Sequence, residues 1–281
     1  MTVLPHDRPS RAADMDGEEL QMAVLVRSLR RTTGLDLSCY RKEHIRRRIT
    51  AVMTKTGTRS PLELARMLEN NPARAQEIRD ELTINVSEFF RDKERFRFLE
   101  ERVLPEIIRE NRKPVLWSAG CSIGAEPYSL AMIMKDLMPG GRFRIVATDV
   151  DRRTLEIARA GNSFSAADLR NVSPERMARY VRPENKRYAV VDSIRRAVEF
   201  RYQNLLTDNF EPGLDLIACR NVIIYFTAAA KDALFIRMAM ALREGGVLFL
   251  GATENLPHTM SAYFASMACG FYRRTSREVK G

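Results

Sequence analysis

Cysteine and histidine, the residues that most often bind transition metals, are scarce in this sequence. The four cysteines are far apart and form no C-x-x-C pair, which argues against structural zinc and against a disulfide framework. The three histidines lie outside every motif described below; they are His6, His44 and His258. We therefore expect no metal, and no catalysis by histidine or cysteine.

Long apolar runs are also missing. No uninterrupted stretch is long enough to span a bilayer, and the N-terminus has no apolar segment of the kind found in signal peptides. With 45% hydrophobic and 29% charged residues, the composition is typical of a soluble globular protein. We expect a cytoplasmic protein, and its 281 residues are enough for one large and one small domain.

Neither of the common phosphate-binding loops is present. The sequence contains no G-x-G-x-x-G and no G-x-x-x-x-G-K-[ST], so dinucleotide and nucleoside triphosphate ligands are disfavoured. Acidic residues are in deficit, because 46 Lys and Arg face 36 Asp and Glu, a net charge of +10. This excess predicts an acidic partner: nucleic acid, an anionic membrane or an acidic protein.

The rest of the chain is organised around the stretch from Pro114 to Met134. Val115–Ala119 is typical of a buried parallel strand, and Gly120 and Gly124 then flank a tight turn. Glycine at these positions allows a sharp turn and a close approach of the backbone to a ligand. Pro127 suits the first turn of the helix that follows. The pattern predicts a strand, a ligand-binding turn and a helix.

The next strand supplies an acidic residue to this unit. Phe143–Thr148 predicts a second strand that ends in Asp149, where a bound ribose would need an acceptor. Glu126, at the start of the helix, disfavours phosphate and suits an ammonium group. A ligand with a ribose, no phosphate and an amino-acid tail fits best, which indicates S-adenosylmethionine. The alternative is a turn with a purely structural role.

Periodicity divides the chain into three parts. Residues 1–15 predict a mobile tail, residues 16–85 an all-helical domain, and residues 86–281 an α/β domain with an insertion at about 162–198. The helical domain is predicted to contain a helix from Glu18, then Tyr40–Met53, Leu62–Leu68 and Ala73–Ile84. Ser60 is the expected N-cap of the third of these helices.

The second of these helices is strongly basic. Its exposed faces are predicted to carry Arg41, Lys42, Arg46, Arg47 and Arg48, with only Glu43 to offset them. A solvated face would explain the arginines, because helices tolerate them well. So many like charges also repel one another, and this favours a role in binding an acidic surface.

The segment between the two domains contains an aromatic pair among polar residues. Ser87 is the predicted N-cap of a long helix that reaches about Glu110. Asn85 and Arg91 lie on either side of the Phe89–Phe90 pair, and periodicity alone assigns them no role.

The inserted segment interrupts the alternation of strands and helices. A short helix is predicted at Pro174–Tyr180. Arg187–Val191 and Ile194–Val198 then predict the two strands of a hairpin, with Asp192-Ser193 as its turn. We expect this insertion to pack beside the main sheet.

Polar residues follow the predicted strands of the main sheet, at their carboxyl ends. They are Glu126, Asp149, Asn204, Arg220 and Asn221. In an open α/β sheet ligands bind at that edge. The sequence therefore predicts a ligand site there.

Five segments of the chain form a specific set. They are N-V-S-E-F-F-R at 85–91, A-G-C-S-I-G-A-E-P-Y-S at 119–129, A-T-D at 147–149, N-L-L at 204–206 and C-R-N-V-I-I-Y-F at 219–226. In this order they resemble CheR, the chemotaxis receptor glutamate methyltransferase family, and the likeness covers about residues 18 to 275. It implies an α/β fold of class I methyltransferase (Rossmann-like) type, with a mostly parallel sheet, an all-helical N-terminal domain and a small β-subdomain insertion. It also implies S-adenosyl-L-methionine as donor and S-adenosyl-L-homocysteine as product.

The resemblance assigns roles at the donor's amino-acid end and ribose. Asn85, Ser87 and Arg91 match linker residues that line the methionine end, although the family commonly has threonine where Ser87 stands. Glu126 would face the donor's amino group, and Asp149 would face its ribose. Arg91 is the best candidate for positioning a carboxylate, and we favour the donor's, because an arginine beside the attacking oxygen would weaken the nucleophile.

The resemblance also assigns roles at the adenine and at the transfer centre. Asn204 and Leu205 would meet the adenine, the leucine through backbone atoms. Arg220, Asn221 and Tyr225 fall near the transfer centre. The substrate would be glutamate carboxylates, which are already ionised at neutral pH because their unperturbed pKa is about 4.3. No general base is then required, and catalysis consists mainly of orientation.

The resemblance implies a partner, the cytoplasmic helices of methyl-accepting chemotaxis receptors, on which the basic second helix would dock. Some family members bind a receptor pentapeptide through a glycine-containing loop of the β-subdomain. Residues 180–186 contain no glycine here, so we expect no pentapeptide tethering. Two alternatives remain: a nucleic-acid methyltransferase, and a non-catalytic signalling scaffold that binds the donor.

Overall fold

The computed structural model describes residues 11–35, 37–82 and 87–275. The chain divides into two compact units, Met1–Ile84 and Asn85–Gly281. Within the described residues, none of the helices combines the length and the apolarity needed to cross a bilayer.

The first unit is built from helices alone in its described part. They are α1 (Arg11–Thr33), α2 (Lys42–Thr56), α3 (Pro61–Asn70) and α4 (Pro72–Leu82). Helix α1 begins before the predicted start at Glu18. Ser60 caps α3 as predicted, because its side chain accepts from the Glu63 amide at 3.2 Å. One apolar cluster that includes Leu25, Ile49 and Leu64 forms the core of this unit.

The second unit contains a seven-stranded sheet in the order β5-β2-β1-β6-β7-β9-β8. Its strands are β1 (Val115–Ala119), β2 (Arg144–Asp149), β5 (Val198–Tyr202), β6 (Leu214–Cys219), β7 (Leu242–Leu250), β8 (Phe264–Ala268) and β9 (Phe271–Arg274). The first five strands of the sheet order pair in parallel, and β9 pairs antiparallel with β7 and β8. The predicted mostly parallel α/β sheet is therefore confirmed.

Helices flank this sheet and connect its strands. They are α5 (Lys93–Phe98), α6 (Leu104–Glu110), α7 (Ala125–Leu137), α8 (Arg152–Ala160), α9 (Pro174–Tyr180), α10 (Asp192–Arg195) and α11 (Ala228–Ala241). A π-helical turn, Leu99–Val103, joins α5 to α6. Helix α7 is buried along most of its length, and it packs with the aromatic residues Phe89, Phe164 and Phe200 in the main core.

The predicted cap at Ser87 is wrong. Helix α5 begins at Lys93, and Asp92 occupies the N-cap position in a left-handed conformation, with φ of 60°. The segment Ser87–Asp92 is a loop, because Phe90 is also left-handed, with φ of 50°. A helix cannot pass through such residues, since L-amino acids favour right-handed helices.

The hairpin is formed by a different pair of strands from the one predicted. Arg187–Val190 (β4) pairs with Val181–Glu184 (β3), and not with Ile194–Val198. The turn is Asn185-Lys186, where both residues have positive φ, as a two-residue hairpin turn requires. Residues 192–195 form the short helix α10 instead of a turn. The proline in β3 hid this strand from the sequence pattern, since proline is tolerated only in edge strands.

Candidate active site

The carboxyl ends of the five parallel strands meet at one edge of the sheet. The chain runs from β1 outward to β2 and β5, and then returns to β6 on the other side of β1. The order of the strands therefore reverses between β1 and β6, and ligands of open α/β sheets bind at such a point. The predicted polar residues follow these strands, so the structure gathers them at this edge.

The turn after β1 is fixed to the end of β2. The amides of Gly120 and Cys121 donate to the Thr148 carbonyl at 2.8 and 2.9 Å. Gly120 has φ of 79°, and a Cβ at this position would lie 2.5 Å from a methyl carbon of Val222. The turn thus needs glycine for its backbone conformation and for its contact with the loop that leaves β6.

Asp149 lies at the end of β2 and faces this turn. Its carboxylate accepts from the amides of Ser122, at 2.8 Å, and Asp151, at 3.0 Å. Burial raises the pKa of Asp149, although these hydrogen bonds favour the ionised form. The structure therefore presents a carboxylate with a raised pKa beside the glycine turn.

Glu126 lies in the first turn of α7, at the other side of the turn. One carboxylate oxygen accepts from the Ser118 hydroxyl at 2.8 Å, and the other accepts from Arg220 at 3.2 Å. Ser118 is fully buried in β1. The carboxylate is thus oriented from the strand and from the loop after β6.

Arg220 is turned into the protein, with its side chain only 1% exposed. It donates to the Asp92 carboxylate and to the Arg91 carbonyl, both at 2.7 Å, in addition to Glu126. The rings of Phe96 and Phe249 lie 5.1 and 4.6 Å from its guanidinium carbon. The Arg220 side chain thus holds Glu126 and the Arg91-Asp92 loop together, and its predicted position near the transfer centre stays a prediction.

The loop that carries Ser87 and Arg91 is tied to α7 and to the insertion. The Phe90 amide donates to the Ser129 hydroxyl at 3.0 Å, and the Phe89 amide donates to the Asp168 carbonyl at 2.9 Å. Both Ser87 and Arg91 are half-buried. Asn85, the third predicted residue of this segment, lies outside the described residues.

Asn204 and Leu205 follow β5 and make local contacts. The Asn204 side-chain oxygen accepts from the Leu206 amide at 2.9 Å and so shapes the turn. Leu205 is buried, and its carbonyl accepts from Arg237 at 2.7 Å. The asparagine oxygen thus helps to shape this loop, and the predicted contacts of Asn204 and Leu205 with an adenine stay predictions.

Asn221 and Tyr225 belong to the loop that leaves β6. Asn221 is left-handed, with φ of 61°, and a short 3₁₀ turn spans Ile223–Tyr225.

Burial raises the pKa of the thiols of Cys121 and Cys219, so both are protonated at neutral pH. Neither thiol offers a thiolate nucleophile to this site.

A groove of about 480 Å³ borders the site on the side of β5. Its wall includes Trp117, Thr148, Gln203 and Phe210. Residues 203–213, between β5 and β6, form neither helix nor strand, and several of them line the groove. The groove reaches the residues that immediately precede Asp149 and Asn204, so it lies next to the predicted adenine contacts.

Sequence reasoning missed four residues that organise the edge: Asp92, Ser118, Ser129 and Glu254. Ser118 is the single polar residue in the otherwise apolar strand β1, a pattern that could have marked it as a buried polar group with a partner. The other three make contacts with residues far along the chain, so no local signal identifies them.

The fold is that of a class I methyltransferase. The family model "CheR methyltransferase, SAM binding domain" matches residues 85–272, and the model "CheR methyltransferase, all-alpha domain" matches residues 21–83. The chain therefore belongs to the CheR methyltransferase family.

Curated relatives agree with this assignment. A chemotaxis protein methyltransferase of Listeria monocytogenes is 36% identical, over 92% of this chain and 98% of its own. Chemotaxis protein methyltransferase 1 of Pseudomonas aeruginosa is 38% identical, over 82% of this chain and 89% of its own. Among solved structures, SAM-bound CalS10, an amino pentose methyltransferase from Micromonospora echinaspora, is 18% identical over 60% of this chain and 57% of its own. Its TM-score of 0.34 is too low to support a conclusion.

Proposed function

We propose that this protein transfers a methyl group from S-adenosyl-L-methionine to glutamate carboxylates of chemotaxis receptors. The products are glutamate methyl esters and S-adenosyl-L-homocysteine. The observation that carries the proposal is the pair of oriented carboxylates, Glu126 and Asp149, on either side of the glycine turn in a chain of the CheR methyltransferase family. The names of its relatives supply the link to chemotaxis.

The donor fits this edge by charge. Asp149 would accept from the ribose hydroxyls, and Glu126 would accept from the ammonium group of the methionine end. Each carboxylate oxygen of Glu126 has one partner, and a carboxylate has about four lone-pair sites, so it retains capacity for the ammonium. Ser87 and Arg91, together with Asn85, would line the same end of the donor, and Asn204 and Leu205 would meet the adenine.

The chemistry requires orientation more than proton transfer. A glutamate carboxylate is ionised at neutral pH and attacks the methyl carbon directly. The positive charge of the sulfonium disappears during transfer, and the proton balance does not change. Holding the carboxylate oxygen in line with the methyl group can contribute up to about 7–11 kcal/mol in favourable model reactions. Tyr225 and Asn221 are our candidates for contacts at this centre, and Arg91 positions the donor's carboxylate.

The basic helix α2 is the proposed docking surface for the receptor. Two of its charges are partly offset by α1, because Lys42 and Arg46 lie 3.8 and 3.9 Å from Glu19 and Glu18. Arg48 is half-buried. Arg41 and Arg47 are exposed and form no ion pair within the described part of the chain. These two arginines are therefore the strongest candidates for contact with an acidic receptor helix.

We also propose that no receptor pentapeptide tethers this protein. The β3–β4 hairpin closes with the two-residue turn Asn185-Lys186 and contains no glycine loop. A free receptor C-terminal peptide, added in excess, is then expected to leave methylation of a receptor fragment unchanged. Competition by the peptide would overturn this part of the proposal.

The test of the main proposal is incubation with radiolabelled donor and a cytoplasmic fragment of a chemoreceptor. We expect label on the receptor that base treatment releases as methanol, because methyl esters are base-labile. A fragment with its candidate glutamates changed to alanine is the control. Donor binding without label on any receptor fragment would favour a scaffold, and label on nucleic acid would contradict the proposed substrate.

A further inference from the structure

Glu254, in the loop after β7, is a buried acid with an unusual set of partners. Its side chain is 3% exposed. One carboxylate oxygen accepts from the amides of Asn221, at 2.7 Å, and Gly251, at 2.9 Å, and the other accepts from the Ile223 amide at 3.0 Å. Three backbone donors from the exits of two neighbouring strands therefore converge on a single carboxylate.

Burial of this carboxylate has a cost that the hydrogen bonds offset. An ionised acid taken out of water loses several kcal/mol unless it is paired or hydrogen-bonded. The pKa of Glu254 is raised by its burial, although the backbone amides favour the ionised form. Its hydrogen-bond partners are backbone amides, so the carboxylate constrains the path of the main chain. The segment that it constrains most is the loop after β6.

The loop after β6 carries the residues that we propose for the transfer centre. Asn221 is left-handed, a conformation that is strained for a residue other than glycine, and its amide is the closest donor to Glu254. The Ile223 amide, two residues later, begins the 3₁₀ turn that ends at Tyr225. The bonds from Glu254 therefore fix the strained residue and the turn together.

The loop after β7, which carries Glu254, is itself held in place by two hydrogen bonds. The Glu254 amide closes a turn onto the Gly251 carbonyl at 3.1 Å, and Arg95 of α5 donates to the same carbonyl at 3.3 Å. A Cβ on Gly251 would lie 2.6 Å from the Glu254 carboxylate. Position 251 therefore needs glycine while the carboxylate occupies this place.

We propose that Glu254 is a positioning residue for methyl transfer, which holds the loop Arg220–Tyr225 at the donor edge without touching donor or receptor. The inference rests on the proposed function, because it assigns Asn221 and Tyr225 to the transfer centre. Its consequence is specific: loss of the carboxylate should impair the transfer step more than the binding of either substrate.

The test compares Glu254→Gln with the wild-type protein. Glutamine keeps the size of the side chain, but its amide group must face at least one backbone N–H. Each backbone N–H that faces the amide group loses its acceptor, so the glutamine cannot satisfy all the donors that the carboxylate serves. We expect kcat to fall at least tenfold, and KM for a receptor fragment to change less than threefold. We also expect faster hydrogen exchange of the amides at 221–223.

Two further variants separate positioning from folding. Glu156→Gln removes an exposed carboxylate of α8 and should leave kcat and hydrogen exchange unchanged. If Glu254 acts through Tyr225, the double variant Glu254→Gln/Tyr225→Phe should be only slightly slower than the slower single variant, since coupled residues are not additive.

The outcomes are distinguishable. An inactive wild-type protein would contradict the proposed function and not this inference. An active wild type with normal kcat in Glu254→Gln would overturn the inference. So would a parallel loss of kcat, donor affinity and thermal stability, because that result indicates a purely structural acid.

Discussion

The guanidinium of Arg220 donates to the carboxylate of Glu126 over 3.2 Å, and so links the exit of β6 to the first turn of α7. The same guanidinium also pairs with Asp92. One buried cation thus serves two acids and leaves this cluster with one net negative charge. That charge complements a donor whose sulfonium and ammonium outnumber its single carboxylate.

Replacement of Arg220 should destabilise the second unit. Arg220→Ala leaves two acids without their cation, and loss of one partner of a buried ion pair costs about 3–5 kcal/mol. The measurement is urea unfolding followed by the fluorescence of Trp117, the single tryptophan, which is buried in β1. Arg201→Ala is the control, because Arg201 forms exposed ion pairs and its loss should cost about 0–1 kcal/mol. Equal stability of the two variants would contradict the role of Arg220.

Asp149→Asn should weaken donor binding about tenfold or more, because a hydrogen bond to a charged group contributes about 1.5–3 kcal/mol. The pH dependence follows from the raised pKa. Acid protonates Asp149 at a higher pH than an ordinary aspartate, and the protonated group loses acceptor capacity. Donor affinity of the wild type, measured by calorimetry, should therefore fall as the pH is lowered through that raised pKa.

In Asp149→Asn this acid-dependent loss of affinity should be absent, since the amide does not titrate. Glu254 also has a raised pKa, but in our proposal it does not touch the donor, so its protonation should leave donor affinity largely unchanged. A wild-type affinity that is constant with pH would argue against Asp149 as the ribose acceptor. The same pH dependence of donor affinity in Asp149→Asn as in the wild type would also argue against this role.

Arg91→Ala should weaken use of the donor about tenfold, the typical effect of removing one charged hydrogen-bond partner. Arg97→Ala is a matched control, because Arg97 lies nearby on α5 and forms an exposed ion pair with Glu94. Calorimetry with the donor is the measurement. If both variants bind the donor with wild-type affinity, Arg91 has no place at its carboxylate.

Two exposed arginines, Arg41 at the N-cap of α2 and Arg47 within α2, provide a prediction about the receptor alone. Arg41→Glu/Arg47→Glu should raise KM for a receptor fragment at least tenfold at low salt and leave donor affinity unchanged, since two favourable contacts become repulsive. Arg66→Glu, on an exposed position of α3, changes charge in the same unit and is the control. The difference should shrink as salt screens the charges. Equal KM values for the two variants would place docking elsewhere.

Much of the fold could be predicted because its signals are local. Val115–Ala119 is the strand β1 with its predicted bounds, since short apolar runs between turn residues are typical of buried parallel strands. Ser60 marks the start of a helix as predicted. The position of the polar residues at one edge could be predicted in the same way, because the carboxyl ends of parallel strands lie at the same edge of a sheet.

The rest depends on contacts between distant residues. Pro183 lies in a strand that the pattern did not predict, because the edge position that tolerates proline is a tertiary property. In the sequence Glu254 looks like an ordinary acidic loop residue. Its three backbone donors come together only because the loops after β6 and β7 are neighbours in the fold. The burial of Arg220 against Phe96 and Phe249 likewise cannot be read from the sequence around it, because both aromatic residues lie far away along the chain.

The two left-handed residues on either side of Arg91 have a consequence for recognition. Phe90 and Asp92 hold an unfavourable backbone conformation, which costs about 1–2 kcal/mol per residue. The Ser129 and Arg220 hydrogen bonds compensate this cost when the polypeptide folds, before any small molecule arrives. This loop is thus preorganised, and if the donor binds there as we propose, it loses its own conformational freedom without also having to order the protein.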